Sequence, residues 1–230
     1  MIPLPAADIR RAVRAGLEED LGDGDITTSA LFSKPVPAQA SIIAQQPLVV
    51  AGLAAAVQTF LMVDPSLRIT THTHDGDRLP VGAALLDIDG DGRSILQAER
   101  VALNFLQHLS GIATMTRAYV DAMQGNATLL ATRKTIPGLR HLEKYATRMG
   151  GAKNHRMGLW DAAMIKDNHV AVCGSIKAAI AKGEVKDFEA GFDLTAENVD
   201  ASTNIVAQMG FEPIIKALEE GAEVVIAVDI

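Results

Sequence analysis

The residues with the clearest chemical potential are the cations of segment 131–160. This segment holds seven of the chain's 21 lysines and arginines but a single acid, Glu143, although the whole chain has a formal net charge of −7. Residues 181–230 have the opposite bias, with eleven acids against three lysines. Such a cationic cluster in an acidic chain predicts either a local site for an anionic ligand or an attraction between these two segments.

Two of these cations, Arg133 and Lys134, directly follow the apolar stretch 128–132 and precede the Pro137-Gly138 break. We interpret them as lying just beyond the carboxyl end of a strand, where the chemistry of β/α barrels is placed. A guanidinium binds a carboxylate or phosphate through two parallel hydrogen bonds, whereas an ammonium acts as a point charge. The pair therefore predicts a ligand with several anionic groups.

Two further places in the sequence carry side chains that can bind an anionic ligand. His155 and Arg156 occupy a glycine-flanked loop, in which the backbone can approach a ligand closely. Lys166 follows the apolar run 162–165, which we interpret as a strand, so that its amine is placed to form a Schiff base, hold a phosphate or extend into solvent.

Three other cations of the segment have a simpler interpretation. Arg140, Lys144 and Arg148 recur every four residues. Because residues four apart line one stripe of a helix, this spacing predicts a solvated helix face rather than a binding site.

The elements that must position these residues fall into two regions, which predict an α/β protein. Residues 1–110 mix helical and strand patterns and predict an α+β sandwich-like domain, with a long helix over 97–123 linking it to the second region. The predicted helices and strands are 7–21, 40–44, 53–62, 68–73 and 84–88. Residues 111–230 alternate strands (128–132, 162–165) with a helix (138–149), which predicts an incomplete (β/α) barrel carrying the site, with residues 178–230 atypical.

Composition excludes several other classes of function. A pI near 5.3 argues against a nucleic-acid-binding protein, which needs a basic surface. The most apolar stretch, 47–63, is shorter than the roughly 20 residues that span a bilayer, so no membrane association is expected. The only cysteine, Cys173, excludes an intrachain disulfide, and the first twenty residues are too charged for a secretory signal. We therefore expect a cytoplasmic protein.

Several strings of residues are recognisable as family motifs. They are Thr132-Arg133-Lys134-Thr135-Ile136-Pro137-Gly138-Leu139-Arg140, Lys144-Tyr145-Ala146, Gly150-Gly151-Ala152-Lys153-Asn154-His155-Arg156 and Ile165-Lys166-Asp167-Asn168-His169, preceded by Gly24-Asp25-Ile26-Thr27-Thr28, Ala98-Glu99-Arg100 and Leu109-Ser110-Gly111-Ile112-Ala113. From about residue 5 to 177 the sequence closely resembles the quinolinate phosphoribosyltransferase family.

The resemblance implies an activity and a set of partners. The expected reaction transfers the phosphoribosyl group of phosphoribosyl pyrophosphate, with Mg²⁺, to quinolinate, and decarboxylation yields nicotinate mononucleotide, pyrophosphate and carbon dioxide. Family members insert an arginine into the neighbouring subunit's site, so a homodimer or higher homo-oligomer with shared sites is implied.

The resemblance also assigns roles to residues. It implies that Lys134 and Lys166 are catalytic and that Lys134 faces phosphoribosyl pyrophosphate. The residues that it implies bind substrate are Arg100, Thr132, Arg133, Lys134, His155, Arg156 and Lys166, of which Arg100 is the arginine inserted into the neighbouring site. Asp229 is the implied ligand of Mg²⁺.

Beyond about residue 176 the family's expected phosphate loop and glutamate strand are not recognisable. Two alternatives therefore stand beside the transferase. One is an impaired or designed relative that binds dicarboxylates only. The other is a Schiff-base aldolase that uses Lys166.

Overall fold

The structure is a computed structural model that describes residues 4–125, 127–162, 164–175, 178 and 225–228. The described residues divide into two compact units, the first formed by the chain up to His155 together with strand 225–228, and the second beginning at Arg156. The described helices are α1 Ala6–Leu21, α2 Ile26–Leu31, α3 Leu53–Val63, α4 Gly92–Ala122, α5 Arg140–Met149 and α6 Asp167–Cys173. The described strands are β1 Pro37–Ile43, β2 Leu48–Val49, β3 Arg68–Thr71, β4 Arg78–Leu79, β5 Ala84–Asp91, β6 Thr128–Ala131, β7 Lys153–Asn154 and β8 Val225–Val228.

The amino-terminal part of the first unit is an antiparallel sheet, ordered β1-β5-β3, covered by helices α3 and α4. Phe60 of α3 and the β5 residues Leu86 and Ile88 are almost completely buried between these layers. The predicted α+β domain is therefore confirmed in its class, because apolar side chains of a sheet face and of two helices share one core.

Strand β5 is longer than the sequence predicts. The Asp89-Gly90 pair indicates a turn, yet β5 continues to Asp91 because β1 pairs along its whole length, with Ala38 opposite Gly90. Gly90 has a φ of +156°, and a Cβ atom there would lie 2.5 Å from Leu67 Cδ2, so both the backbone conformation and the close packing favour glycine within the strand.

Helix α4 runs without a break for 31 residues. The sequence places a weak point at Ser110-Gly111, but the structure uses Ser110 as a contact. The Ser110 hydroxyl accepts a hydrogen bond from Ala51 N at 3.1 Å and donates one to Ala51 O at 3.2 Å. The small residues in the middle of α4 thus let the backbone that leads into α3 lie directly against it.

The later strands form a parallel sheet, ordered β7-β6-β8, which supports the predicted β/α class of this region. Helix α5 connects β6 to β7, as expected for a βα unit. The predicted strand 162–165 is wrong: Ala162, Met164 and Ile165 have no strand structure. Its alanines and methionine are weak strand formers, and their apolar character alone produced the prediction.

Helix α5 is tied to earlier parts of the first unit by polar contacts. The Tyr145 hydroxyl donates to Asp75 Oδ2 at 2.8 Å, and Asp75 Oδ1 also accepts from Leu53 N at the start of α3. Burial, together with the negative charge of Asp75, raises the pKa of the Tyr145 phenol. None of the helices in the described ranges has the length and apolarity to cross a membrane.

Candidate anion-binding site

The centre of the candidate site is the loop 131–136, which leaves the carboxyl end of β6. Lys134 N donates to Thr132 Oγ1 at 3.1 Å, and Thr135 N donates to Arg133 O at 3.0 Å. These two short-range bonds curl the backbone so that Arg133 and Lys134 occupy its bend. The predicted strand-mouth position of both cations is therefore found in the structure.

Arg133 has an unusual environment for a cation. Its Nε atom is buried and has no hydrogen-bond partner within the described part of the chain. A buried donor of this kind costs free energy unless something accepts from it, and a carboxylate or phosphate is the strongest acceptor available in biology. Arg133 is thus a candidate donor for an anionic ligand.

His155 lies next to this loop because of the register of the parallel sheet. Ala131, the last residue of β6, pairs with Asn154, the last residue of β7, so Thr132 and His155 leave neighbouring strands side by side. The Asn154 Oδ1 atom is buried there, and none of the described residues donates a hydrogen bond to it. The structure therefore brings together three predicted substrate-binding positions, those of residues 132, 133 and 155.

A cavity of about 600 Å³ opens beside the loop. Its polar lining residues include His108, Thr132, Lys134, Thr135, Glu143 and Lys144. Apolar side chains from α4 and β6 form much of the remaining wall. This composition, mainly apolar with a few converging polar groups, is typical of a small-molecule site.

The prediction of a solvated face on α5 is wrong for Lys144. Only 1% of this residue is exposed, and its ammonium donates to Ala131 O at 3.2 Å and Thr132 O at 3.1 Å. Arg140 and Arg148 are half-buried rather than solvated. The stripe faces the protein because α5 packs against the core through Leu142. The next residue but one, Lys144, then contacts the 131–136 loop.

Two site residues were missed by the sequence interpretation. Glu143, which is 7% exposed, accepts from Ile136 N at 3.1 Å and lies 2.9 Å from His108 Nε2. Lys144 is its neighbour in the chain. The available signal was that Glu143 is the single acid in a strongly cationic segment, which indicates a specific partner for its charge.

Arg156 and Lys166 belong to the second compact unit. Arg156 is 6% exposed and donates to Ala162 O at 2.9 Å. Lys166 is exposed and precedes α6, with its backbone N–H donating to His169 Nδ1 at 3.0 Å. Its exposed amine gives no support to the aldolase alternative, because a Schiff-base lysine is activated by desolvation or by a neighbouring cation.

The structure places Arg100 on α4 in the first unit, with its side chain exposed. Asp229, the implied magnesium ligand, lies outside the described residues and comes after β8 in the sequence. Within the described ranges, no three His, Cys, Asp or Glu side chains gather as a metal site would require. No described residue is therefore assigned to Mg²⁺.

An α+β domain followed by parallel βα units, with a cationic loop at a strand end, defines the class as a two-part α/β fold with a candidate anion-binding site. Comparison with known families makes this specific. Residues 25–110 match a family model described as quinolinate phosphoribosyl transferase, N-terminal domain, and residues 112–227 match the corresponding C-terminal domain. The chain therefore belongs to the quinolinate phosphoribosyltransferase family.

Individual relatives agree with this assignment. "Quinolinate phosphoribosyltransferase [decarboxylating] 1b" of Nicotiana tabacum is 45% identical over 177 residues, which is 76% of this chain and 50% of the relative. The structure of NadC from Streptococcus pyogenes is 46% identical, with a TM-score of 0.74, over 78% of this chain and 65% of that one. The nicotinate-nucleotide pyrophosphorylase from Ehrlichia chaffeensis is 34% identical, with a TM-score of 0.80, over 95% and 82%.

The matches also show how much of a relative, and how much of this chain, the similarity covers. The chain spans about half the length of the curated relative from tobacco. The C-terminal family match nevertheless reaches residue 227, well beyond residue 177, where the recognisable motifs end.

Proposed function

We propose that this chain transfers the phosphoribosyl group of phosphoribosyl pyrophosphate to quinolinate, with decarboxylation, as a step of NAD biosynthesis. The observation that carries the proposal is the buried, partnerless Nε of Arg133 at a strand-end loop that also presents Lys134. Family membership supplies the identity of the substrates, because relatives are named for this reaction.

The proposed reaction places two anionic substrates side by side. The ring nitrogen of quinolinate forms a bond to C1 of the ribosyl group while the bond from C1 to pyrophosphate breaks. The C2 carboxylate then leaves as carbon dioxide, and the electron pair that remains on the ring carbon takes up a proton. Each step moves negative charge, so fixed cations and hydrogen-bond donors are the main contribution expected of the protein.

The described residues include candidates to bind each of the two substrates. Arg133 and His155 are assigned to the quinolinate carboxylates, since both leave the ends of neighbouring parallel strands. Lys134, which lines the cavity, is assigned to phosphoribosyl pyrophosphate as a catalytic residue. Roles for Arg156 and Lys166 in binding quinolinate, the latter also catalytic, are proposals drawn from the family resemblance. Mg²⁺ is proposed to arrive with phosphoribosyl pyrophosphate as its complex.

The direct test is to incubate the purified protein with quinolinate, phosphoribosyl pyrophosphate and Mg²⁺ and to quantify nicotinate mononucleotide by chromatography. We expect product that depends on all three additions and is strongly reduced in the Arg133→Ala protein. Absence of product above a no-enzyme blank, from protein shown to be folded, would refute the proposal.

A second candidate function is dicarboxylate binding without transfer. The observation that favours it is that the partnerless Arg133 Nε and the adjacent His155 suit a carboxylate by themselves. Calorimetry separates the two candidates. Binding of quinolinate without any binding of phosphoribosyl pyrophosphate favours the second, whereas binding of both favours the transferase.

We also propose a homodimer, or a higher homo-oligomer, in which Arg100 serves the neighbouring subunit's site. Its exposed position on α4 leaves the guanidinium available to a partner. Arg100→Ala and Arg133→Ala proteins should each be inactive, and mixing them should restore part of the activity, since a mixed dimer contains one intact site. No recovery, despite demonstrated subunit exchange, would contradict shared sites. The single cysteine supports a proposed location in the reducing cytoplasm.

A further inference from the structure

Glu143 and Lys144 are adjacent, buried and oppositely charged, and neither is among the residues assigned to substrates. Both reach the same short stretch of backbone. Lys144 contacts the carbonyl oxygens of Ala131 and Thr132, and Glu143 contacts the amide of Ile136. The loop 131–136 is thus held at its two ends by one turn of α5.

The contacts of Lys144 have a specific cause. Burying an ammonium is costly unless its donors are satisfied, and here two of them meet main-chain carbonyls where β6 ends. These carbonyls directly precede Arg133. Their direction determines the direction in which the next peptide unit leaves the strand, and hence where the Arg133 side chain begins.

The contacts of Glu143 complete the arrangement on the other side of the loop. One carboxylate oxygen accepts from Ile136 N and the other lies against His108 of α4. Helix α4 is anchored in the amino-terminal core, so the Glu143 side chain links the loop to a rigid element. Arg133 and Lys134 lie between the two fixed points.

We propose that Glu143 and Lys144 are positioning residues that orient Arg133 and Lys134 through the backbone of loop 131–136. The inference rests on the proposed function, because it assigns these residues to the same transferase site. It adds that an opposite pair of buried charges holds the ends of the loop, beside the loop's own short-range hydrogen bonds, and so contributes to the geometry of the cations.

The expected effect is kinetic and not only structural. A displacement of about 1 Å of a positioned group can reduce a rate on the order of a hundredfold. In the Lys144→Met protein, whose side chain has a similar length but no hydrogen-bond donors, we expect kcat to fall tenfold to a hundredfold and the KM for quinolinate to rise, because Arg133 and Lys134 both lose their orientation. Lys144→Arg, which restores donors to the carbonyls, should recover part of kcat.

Glu143 is tested by a second pair of variants. Glu143→Gln keeps an acceptor for Ile136 N–H and should retain more activity than Glu143→Leu, which keeps none. The matched control is Lys34→Met, the same chemical change at an exposed lysine far from the loop in sequence. This protein should behave as the wild type in every measurement.

Hydrogen exchange gives a readout that does not require activity. The amides of Lys134 and Thr135 donate hydrogen bonds within the loop, and the amide of Ile136 donates to Glu143. We expect their exchange to accelerate at least tenfold in Lys144→Met relative to amides of β5 in the same protein. If Lys144→Met does not fold, Lys144→Gln, whose shorter side chain keeps an uncharged donor, is measured in its place, and a smaller acceleration at the same three amides is expected.

The outcomes separate this inference from the proposed function. Wild-type protein that makes no nicotinate mononucleotide would refute the function, and exchange at the three loop amides would then decide the inference alone. Exchange and kcat at wild-type values in the Lys144 and Glu143 variants, with only a lowered Tm, would overturn the inference, because the pair would then be structural. Accelerated exchange together with a lowered kcat and a raised KM for quinolinate would support it.

Discussion

Replacement of Arg133 is the most direct perturbation of the candidate site. Its buried Nε has no hydrogen-bond partner among the described residues, so a bound carboxylate would supply an acceptor. Removing one partner of a buried, hydrogen-bonded charge pair costs about 2–5 kcal/mol of binding free energy. For Arg133→Ala we therefore expect the Kd for quinolinate to rise by roughly 30-fold to a few thousandfold.

Two further variants serve as controls for the expected rise in Kd. Arg133→Lys keeps the charge but loses the planar pair of donors, so its loss of affinity should be intermediate. Arg148→Met is the matched control, because Arg148 also has a buried, partnerless Nε but stacks on the Tyr145 ring at 5.5 Å. We expect Arg148→Met to change the free energy of unfolding but not the affinity for quinolinate.

Isothermal titration calorimetry with quinolinate measures all three proteins, and urea unfolding verifies that each is folded. An Arg133→Ala protein with the wild-type Kd would refute the assignment of Arg133 to the dicarboxylate. Equal losses of affinity in the Arg133 and Arg148 variants would show that a general loosening of the region, and not a lost contact, weakens binding.

Three other predictions concern the framework of the site. Leu142→Ala, at a core position that is 1% exposed, should lower the free energy of unfolding by about 2–5 kcal/mol in urea titrations, and an effect below about 1 kcal/mol would contradict the packing described. The Arg93 guanidinium lowers the pKa of Asp91 to about 2. The stability that this ion pair gives to the folded protein should therefore be fully present above the ordinary carboxyl pKa near 4 and be lost as pH falls through 2. The Tm difference between wild type and Asp91→Asn should shrink over that interval, and a constant difference would exclude the ion pair as its cause. Tyr145→Phe removes the hydrogen bond to Asp75 and should cost about 0.5–1.5 kcal/mol in urea, with the high-pH phenolate absorbance step of Tyr145 also lost.

Much of the fold can be predicted from periodicity in the sequence. Helix α1 is evident from Ile9, Val13 and Leu17, which are four residues apart and all buried. The strand-end position of Arg133 is also evident, because an apolar stretch of strand length stops at two cations and a Pro-Gly pair. In these cases a local pattern and the tertiary environment point the same way.

Periodicity alone does not predict whether a charged helix face points to solvent or to protein. The spacing of Lys144 with Arg140 and Arg148 is the same whether the stripe meets solvent or protein. What decides it is a non-local partner, the carbonyl oxygens at the end of β6, which periodicity within α5 does not encode. The same reason explains β5, where pairing with β1 overrides the local turn preference of Asp89-Gly90.

The unbroken helix α4 has a consequence for how this chain can vary. Arg100 and His108 lie eight residues apart on it, so their separation along the axis is fixed at about 12 Å by the helical rise of 1.5 Å per residue. A single inserted residue between them would turn everything beyond it by about 100° and carry His108 away from Glu143 and Ser110 away from Ala51. Helix α4 can therefore accept many substitutions on its exposed face but few insertions or deletions. The number of residues in α4, more than their identity, determines how the exposed Arg100 is oriented about the helix axis relative to His108, which contacts the loop of Arg133 through Glu143.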